Sequence, residues 1–326
     1  MEISASAVKT LRDKTGIGMM ICKQALIDAN GDMEKAIEDL RKQGQLTAAK
    51  RADRAAKEGK VSIVMDEIAG IVYEVNAETD FVAKNEDFVE FIDNLGGILL
   101  AAKPADHTSA LQLLYASIND FVEFIGHLNK ILQDARPTEQ ASALHISGAS
   151  IASLTVEAKV TELIGKIGEK IEFRRYMKMD ADPSREGLFS YIHGDGRIGV
   201  LVKLEVSKPE ALVSDEVAEL GKDLAMQIAA SSPIAVDAGS IPADVIAKEK
   251  EIYTAQAKES GKPEAVWEKI VEGKLAKYYE EFTLVNQKFI RDTDVVVRDR
   301  IAETAKAIGA DVKPVCFFRV ELGSED

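Results

Sequence analysis

The sequence predicts an α+β fold in which an N-terminal three-helix domain precedes a duplicated core of antiparallel hairpins with helices, from which a helical hairpin protrudes. Three observations support this prediction. Apolar residues recur at helical spacing over residues 3–44, a hairpin-and-helix pattern appears at both 61–104 and 190–233, and two long helical patterns follow each other at 243–281. The predicted parts are a three-helix domain at 1–45, a linker at 46–60, a core N-subdomain with a helical insertion at 61–170, and a core C-subdomain including the hairpin at 171–326.

The composition is that of an ordinary globular protein, with 46% hydrophobic and 29% charged residues. A formal net charge of −14 argues against a nucleic-acid binder that neutralises phosphates, because such a surface needs a basic excess. No run approaches the roughly 18 apolar residues of a membrane span, and the N-terminus lacks the basic-then-apolar order of a signal peptide. We therefore expect a cytoplasmic protein that contacts neither membrane nor nucleic acid.

The first 44 residues carry three short helical patterns. Ser4 and Asp32 are suited to cap the first and the third helix, because their side chains accept hydrogen bonds from free N–H groups. Glycine-containing segments indicate the helix ends, at Thr15-Gly16-Ile17-Gly18, Asn30-Gly31 and Gly44. The expected inward residues are Val8 and Leu11, then Met19, Cys22, Ala25, Leu26 and Ala29, then Met33, Ala36, Ile37 and Leu40.

The pattern then changes to two strands, at 61–65 and 68–77, and a helix from about Asn85 that ends before Pro104. Shifting residues 61–104 by 129 positions places them on 190–233 and aligns their apolar residues, which indicates an internal duplication. The identical pairs are Ile63/Ile192, Asp66/Asp195, Gly70/Gly199, Glu90/Glu219, Leu95/Leu224, Ala101/Ala230 and Pro104/Pro233. Where the first copy has Thr79-Asp80-Phe81-Val82, the second has Lys208-Pro209-Glu210-Ala211, so the fold does not need that loop chemistry.

The remaining elements follow from the same patterns. We expect helices at 109–135, 156–167 and 298–308, strands at 171–177 and 314–321, and a loop at 136–155. Residues 243–259 and 264–281 predict an antiparallel helical hairpin, which usually projects from its domain and is therefore a candidate contact arm. The residues expected to hold its two helices together are Val245, Ile252, Val266, Ile270, Leu275 and Tyr278.

No catalytic constellation is visible. None of the four histidines stands within helical reach of another His or a Cys, and Cys22 and Cys316 have no partner at metal-ligand or disulfide spacing. There is neither a Gly-x-Ser-x-Gly elbow nor a phosphate loop ending in Gly-Lys-Ser/Thr, and Gly194-Asp195-Gly196 is typical of a hairpin turn. We therefore expect a protein that acts by binding, with no catalytic residue, metal or cofactor.

The segment Glu78-Thr79-Asp80-Phe81-Val82-Ala83-Lys84-Asn85 stands out because it places an apolar pair beside an acid between a strand and a helix. Two interpretations are open. In one, Thr79 or Asp80 caps the helix and Phe81 packs into its own core as a hydrophobic staple. In the other, Phe81 and the neighbouring carboxylate insert into a partner. Sequence periodicity does not separate the two.

Several segments resemble the bacterial elongation factor Ts family. Residues 8–26, Val-Lys-Thr-Leu-Arg-Asp-Lys-Thr-Gly-Ile-Gly-Met-Met-Ile-Cys-Lys-Gln-Ala-Leu, resemble its N-terminal signature, and 74–84, Glu-Val-Asn-Ala-Glu-Thr-Asp-Phe-Val-Ala-Lys, resemble its second signature. Further similar stretches, in the family's order, are 167–171, 190–194, 197–202, 226–230, 260–263 and 271–274. The resemblance implies a guanine-nucleotide exchange factor for elongation factor Tu, the GTPase that delivers aminoacyl-tRNA to the ribosome.

The resemblance also implies which residues contact the GTPase. The three-helix domain is similar to a ubiquitin-associated domain, and Arg12, Met19, Met20 and Lys23 match contact positions on it. Met19 and Met20 are adjacent, so both cannot face one small core, and an exposed Met suits an adaptable contact surface.

In the core, Asp80 and Phe81 match the family's intruding pair, flanked by Thr79 and Val82. The resemblance implies that Phe81 wedges between helices near the magnesium site of the GTPase while Asp80 disturbs polar contacts, which weakens GDP binding. His193 matches a histidine that the family uses against the GTPase. Its alternative role is that of a histidine flanking a hairpin turn.

Some features differ from parts of the family. The stretch at 105–155 is longer than in compact members, and a further C-terminal helix of some members is not expected here. Some relatives form homodimers through the helical hairpin, so we expect homodimer formation through 243–281. A ubiquitin-type adaptor and an enzyme are the rival functions. The adaptor predicts ubiquitin binding without residues 61–326, and the enzyme requires a metal or cofactor site.

Overall fold

The computed structural model describes residues 3–115 and 156–325. Helices precede and accompany antiparallel sheets, so the predicted α+β class is confirmed. The chain forms two compact units, the first of Met1–Val64, Tyr73–Lys178 and Leu322–Asp326, and the second of Met65–Val72 and Met179–Glu321.

The N-terminal module consists of α1 (Ala5–Thr15), α2 (Met19–Asp28) and α3 (Met33–Arg51). The predicted caps are present. The Ser4 side chain accepts a hydrogen bond from the Ala7 N–H at 3.2 Å, and Asp32 accepts one from the Lys35 N–H at 3.0 Å. The module buries its own small core, which consists of Val8, Leu11, Ile17, Cys22, Ala25, Leu26, Ala29, Ala36 and Leu40.

The predicted end of α3 at Gly44 is wrong, because the helix continues to Arg51 and includes part of the expected linker. Gly44 is buried, and a Cβ at this position would lie 3.2 Å from the carbonyl oxygen of Thr161 in α7 (Val156–Ile167). The glycine thus permits close packing of two helices. Spacing along the sequence does not distinguish this use of glycine from a helix stop.

The first sheet has the order β1-β2-β3, with β1 at Glu58–Met65, β2 at Ala69–Ala77 and β3 at Ile171–Asp180. β2 is the central strand and is buried along its whole length. Because β3 completes this sheet, residues 171–178 group with the first unit, although the sequence-based division assigns them to the C-subdomain. Three helices follow β2, namely α4 (Asp80–Ala83), α5 (Glu86–Ala102) and α6 (His107–Tyr115).

The helix predicted at 109–135 corresponds within the described residues to α6, which begins at His107. Its remainder, and the loop predicted at 136–155, lie outside the described residues. The helix predicted at 156–167 is α7.

The second sheet has the order β4-β5-β8 and is antiparallel, with β4 at Glu186–His193, β5 at Ile198–Val206 and β8 at Val312–Glu321. A 3₁₀ turn at Pro209–Val213 leads from β5 into α8 (Asp215–Ser231). Helix α11 (Val297–Ile308) precedes β8. The core of this unit packs apolar residues of β5, α8, α11 and β8 together, including Val200, Val202, Leu204, Leu220, Leu224, Ile228, Val297 and Val312.

The internal duplication is confirmed, and the same shift of 129 positions relates the elements. It takes β2 onto β5 and α5 onto α8, together with their caps. Asn85 corresponds to Ser214 as N-cap, and Lys103 corresponds to Ser232 as a left-handed C-cap, with φ of 45° and 46°. The repeat also extends further than predicted, because each third strand follows a helix that ends in a left-handed glycine, at Gly168 and Gly309.

The predicted helical hairpin is formed by α9 (Ala243–Glu259) and α10 (Trp267–Phe282). Ala257 and Leu275 are its buried residues, and Lys274 lies 5.5 Å from the ring centre of Tyr253. Ile252 and Val266 were expected to pack between the helices, but they are 40% and 38% exposed. They lie outside the buried seam, to which Ala257 and the predicted Leu275 contribute.

A short hairpin of β6 (Lys288–Phe289) and β7 (Asp292–Val296) follows, which the sequence does not predict. Among the described residues, no helix is both long and apolar enough to cross a membrane.

Candidate partner-binding site

The tip of the first copy is the four-residue helix α4. Phe81 is 80% exposed, whereas Val82 is 4% exposed and Ala83 is buried too. One side of the helical turn therefore anchors the tip and the other presents the aromatic ring to solvent. The interpretation in which Phe81 packs into its own core is wrong. Val82, predicted to contact a partner, is an internal anchor instead.

Asp80 shares the exposed side of the tip with Phe81. Its carboxylate lies 3.7 Å from the Lys84 ammonium, and both side chains are largely in solvent. An exposed pair of this kind contributes little to stability, so Asp80 can exchange this contact for another one at low cost. The tip thus presents an aromatic ring and a carboxylate side by side.

Thr79 precedes the tip in an extended conformation at the N-cap position, but its side chain makes no capping hydrogen bond. Its N–H donates to Glu169 Oε2 at 2.9 Å, and its hydroxyl donates to Glu169 Oε1 at 2.6 Å. Charge-assisted hydrogen bonds of this length are stronger than neutral ones. Thr79 is therefore fixed from outside its own helix.

Glu78 is held by three donors. Its Oε1 accepts hydrogen bonds from Arg51 at 2.8 Å and from the Lys170 N–H at 2.7 Å, and its Oε2 accepts one from Arg54 at 3.0 Å. Burial raises the pKa of Glu78, but the hydrogen bonds from Lys170, Arg54 and Arg51 outweigh burial and lower the pKa from 4.5 to about 2. The carboxylate is therefore ionised at neutral pH.

The sequence patterns indicate no site role for Glu78 or Glu169. Thr79 and Glu169 are 90 positions apart, so no spacing along the chain could indicate their contact. Arg51 and Arg54 are three positions apart in the sequence, but a basic pair in an Ala-rich segment is also typical of a solvated face.

The far side of the tip is fixed by the next helix. Asn85 caps α5, with its side chain accepting hydrogen bonds from the N–H groups of Asp87 at 2.9 Å and Phe88 at 3.4 Å. The Asn85 N–H donates to the Val82 carbonyl at 2.9 Å. The tip is consequently bounded by ordered backbone on both sides.

On the N-terminal module, the predicted contact residues Arg12, Met19, Met20 and Lys23 are all exposed. Met19 is 54% and Met20 is 78% exposed, so the prediction that Met19 contributes to the inward face of α2 is wrong. Cys22, Ala25 and Leu26 fill that core without it. Both methionines therefore lie on the surface.

A groove of about 480 Å³ adjoins Met20 and separates part of α2 from α3. Ile21, 47% exposed, also lines it, and was not predicted as a surface residue. The remaining lining residues are Gln24, Ala25, Asp28, Asp39, Leu40 and Gln43.

His193 ends β4 and is exposed, next to a turn whose residues Gly194, Asp195 and Gly196 all have positive φ. The Tyr191 hydroxyl lies 3.1 Å from His193 Nδ1, and the two rings are 6.0 Å apart. His193 is therefore oriented by Tyr191 and accessible, as both of its predicted roles require.

Metal-binding and nucleophilic groups are dispersed. Within 3–115 and 156–325, no group of three or more His, Cys, Asp or Glu side chains is arranged to hold a metal ion. Cys22 is buried, and burial raises the pKa of the Cys316 thiol, which disfavours the reactive thiolate.

Comparison with known proteins adds an independent line of evidence. The family model described as Elongation factor TS matches residues 116–324. A curated elongation factor Ts of Chloroherpeton thalassium is 40% identical over 326 residues, covering 99% of both chains. That of Pelodictyon phaeoclathratiforme is 42% identical over 325 residues, with 99% of each chain covered. That of Clostridium acetobutylicum is 41% identical over 323 residues, covering 98% of this chain and 92% of the relative.

Proposed function

The chain belongs to the elongation factor Ts family, and from this premise we propose that it is a guanine-nucleotide exchange factor for elongation factor Tu. Membership makes it a translation elongation factor. In the proposed reaction the chain binds elongation factor Tu in its GDP form, disturbs the magnesium and phosphate site of that GTPase, and releases GDP so that GTP can bind.

The observation that carries this proposal is the solvent-exposed Phe81 on the anchored helix α4. An apolar ring that is 80% exposed stabilises nothing in its own chain, but its burial in a partner contributes about 1.5–3 kcal/mol. Such an energy difference between two states of a partner changes an affinity by roughly 10- to 150-fold. One aromatic side chain is therefore enough to displace a ligand measurably.

Exchange requires that this energy be unequal between the states of the GTPase. The factor must bind nucleotide-free elongation factor Tu better than its GDP form, and by thermodynamic linkage GDP then weakens the factor to the same degree. Phe81 and Asp80 suit this role because they protrude together. The chain acts by binding and uses no catalytic residue or cofactor of its own.

The exposed residues of the N-terminal module are proposed as further contacts with elongation factor Tu, and His193 of the second unit is proposed as a separate one. Arg12 and Lys23 provide positive charge, and Met19 and Met20 provide adaptable apolar area. Thr79 and Val82 contribute indirectly, since Thr79 is bound to Glu169 and Val82 is buried.

Release of a fluorescent GDP analogue from elongation factor Tu tests the proposal. Loaded GTPase is mixed with excess unlabelled GDP, with and without a substoichiometric amount of the chain. We expect release to accelerate and each molecule of the chain to serve several GTPase molecules. An unchanged release rate at micromolar concentrations of the chain would contradict the proposal.

We also propose that α9 and α10 mediate homodimer formation, since Ile252 and Val266 leave apolar side chains on the surface of the hairpin. Sedimentation of the wild type and of Ile252→Lys tests this. A monomeric wild type at high concentration would exclude it.

A further inference from the structure

Two segments that are distant in the sequence exchange hydrogen bonds at the base of the tip. The Lys170 N–H donates to Glu78 Oε1 at 2.7 Å, while Thr79 donates twice to Glu169, at 2.9 and 2.6 Å. Each segment thus supplies one carboxylate and one or more donors to the other. We name Glu78, Thr79, Glu169 and Lys170 the carboxylate clamp.

The carboxylate clamp lies next to α4, a helix too short to be stable without contacts to the rest of the chain. α4 has four residues, and a single helical turn is unstable by itself because nucleating it fixes several dihedral angles for few hydrogen bonds. Val82 and Ala83 anchor one side of this turn by burial. The direction from which the chain enters the turn is set at Thr79, which the clamp holds.

The clamp also joins the tip to α3. Arg51 is in the last turn of that helix and is 24% exposed, and its hydrogen bond to Glu78 is 2.8 Å long. Arg54 follows the helix and binds the other oxygen of the same carboxylate. Three segments, from α3, β2 and the start of β3, therefore converge directly behind Thr79.

The second copy serves as an internal control. The shift of 129 positions takes Glu78 to Ser207 and Thr79 to Lys208. Ser207 and Lys208 also form hydrogen bonds to a segment that follows a helix, the one that begins at the left-handed Gly309 after α11. There, the Ser207 N–H donates to the Asp311 carbonyl at 3.0 Å, and the Asp311 N–H donates to Ser207 Oγ at 2.8 Å. Lys208 donates to the Gly309 carbonyl at 2.7 Å.

The repeated unit therefore closes this junction without any carboxylate. The copy with the carboxylate clamp is the copy whose following turn exposes an aromatic ring, whereas the residue that corresponds to Phe81 is Glu210. The repeated unit folds without a carboxylate clamp, so folding alone does not explain why the first copy has one. The clamp is explained by the exposed tip that follows it in that copy.

We propose that Thr79 and Glu169 are positioning residues, which hold α4 so that Phe81 protrudes in its binding orientation before the partner arrives. This inference rests on the proposed exchange function. A tip that is ordered beforehand loses little conformational freedom on binding, so more of the burial energy of Phe81 acts against the bound nucleotide.

The matched variants Thr79→Val and Thr79→Ser test this role. Val keeps the size of Thr without its hydroxyl, whereas Ser keeps the hydroxyl. Losing a hydrogen bond to a charged acceptor changes an equilibrium by roughly tenfold. In Thr79→Val we expect faster hydrogen exchange of the amides of residues 79–85 and about tenfold lower maximal acceleration of GDP release at saturating chain. Thr79→Ser restores both to near the wild type.

Two further variants separate positioning from stability. Ser207→Ala removes the corresponding acceptor of the second copy, and we expect it to leave GDP release unchanged. Glu169→Gln weakens the clamp from its other side, and the effects of Glu169→Gln and Thr79→Val should not be fully additive, because both act on the hydrogen bond between the Thr79 hydroxyl and Glu169. It also provides the test if Thr79→Val does not fold.

The outcomes distinguish this inference from the proposed function. A wild-type chain that leaves GDP release unaccelerated refutes the exchange function, while amide exchange still tests the clamp. If the wild type accelerates release and Thr79→Val does so equally, the positioning role is overturned, whether or not its amides exchange faster. Equal loss of activity in Ser207→Ala also overturns it, since the effect would then arise from general destabilisation.

Discussion

Phe81 and Val82 are consecutive residues in opposite environments, with Phe81 80% exposed and Val82 4% exposed. Both lie in the single turn of α4, where neighbouring side chains point about 100° apart, so one backbone segment both anchors the tip and presents the ring. The two side chains therefore affect different properties, Phe81 the binding of a partner and Val82 the stability of the fold. Substituting each in turn separates these properties.

Phe81→Ala should impair exchange without unfolding the chain. Truncating an exposed ring leaves no cavity, so we expect the free energy of unfolding to change by no more than about 0.5 kcal/mol. The lost burial in the partner, about 1.5–3 kcal/mol, should lower the acceleration of GDP release at least roughly tenfold. Urea unfolding and the GDP-release assay measure the two effects.

Val213→Ala is the matched control for that variant. Val213 is 89% exposed at the end of the corresponding turn of the second copy. Its truncation removes an exposed apolar group at a similar place without touching the tip, so exchange should stay normal. Destabilisation of the chain by Phe81→Ala would contradict the placement of that ring in solvent.

Val82→Ala should show the reverse pattern. Removing two methyl groups from a buried side chain costs about 1–2 kcal/mol in the free energy of unfolding, through lost transfer energy and a small cavity. Exchange should decrease less than in Phe81→Ala, because the ring is retained. A stability equal to that of the wild type would show that Val82 does not anchor α4.

Two helical glycines should respond to alanine with opposite signs. At Gly221 in α8, an added Cβ would lie 2.1 Å from the Phe189 ring, so Gly221→Ala should destabilise the chain by about 1–3 kcal/mol through overpacking. At Gly273 in α10 nothing lies within 4 Å, so Gly273→Ala should stabilise it by up to about 1 kcal/mol through helix propensity. Thermal unfolding of both variants measures the difference, and a common sign would contradict one of the two environments.

The repeat was predictable because its elements are specified by residues that lie close together in the sequence. Caps at Asn85 and Ser214, and apolar residues at strand and helix spacing, are signals that a short window contains. A short window of sequence also explains why the end of α3 was predicted wrongly. At Gly44 it shows a helix stop, whereas the structure uses the missing side chain against Thr161, more than 100 positions away.

The candidate site divides in the same manner. The sequence shows that an acid and an aromatic residue are adjacent at Asp80 and Phe81. Whether their side chains are exposed depends on the tertiary packing of the neighbouring residues Val82 and Ala83. The contact between Thr79 and Glu169 spans 90 positions and leaves no periodic signal. The exposure of Phe81 and the contact between Thr79 and Glu169 are properties of the tertiary structure, so the spacing of residues along the sequence does not predict them.

Glu78 should make the stability of the chain depend on pH in the acidic range. Its pKa is lowered from 4.5 to about 2 in the folded chain, so its contribution is complete above pH 4.5 and is lost as the pH falls towards 2. At pH 7, Glu78→Gln should cost about 1.5–3 kcal/mol in the free energy of unfolding, because Arg51 and Arg54 lose their charged acceptor. By linkage, the difference between wild type and variant should be about 1 kcal/mol smaller at pH 3.5.

Glu38→Gln provides the control for this titration. Glu38 also pairs with a cation, Lys42 at 2.7 Å, but both side chains are more than 60% exposed, and solvent screens such pairs. In urea unfolding, the stability difference between wild type and variant should therefore change clearly more between pH 7 and pH 3.5 for Glu78→Gln than for Glu38→Gln. If the two stability differences changed equally with pH, the Glu78 carboxylate would be screened by solvent like a surface charge. That result would contradict its low exposure and its three hydrogen bonds.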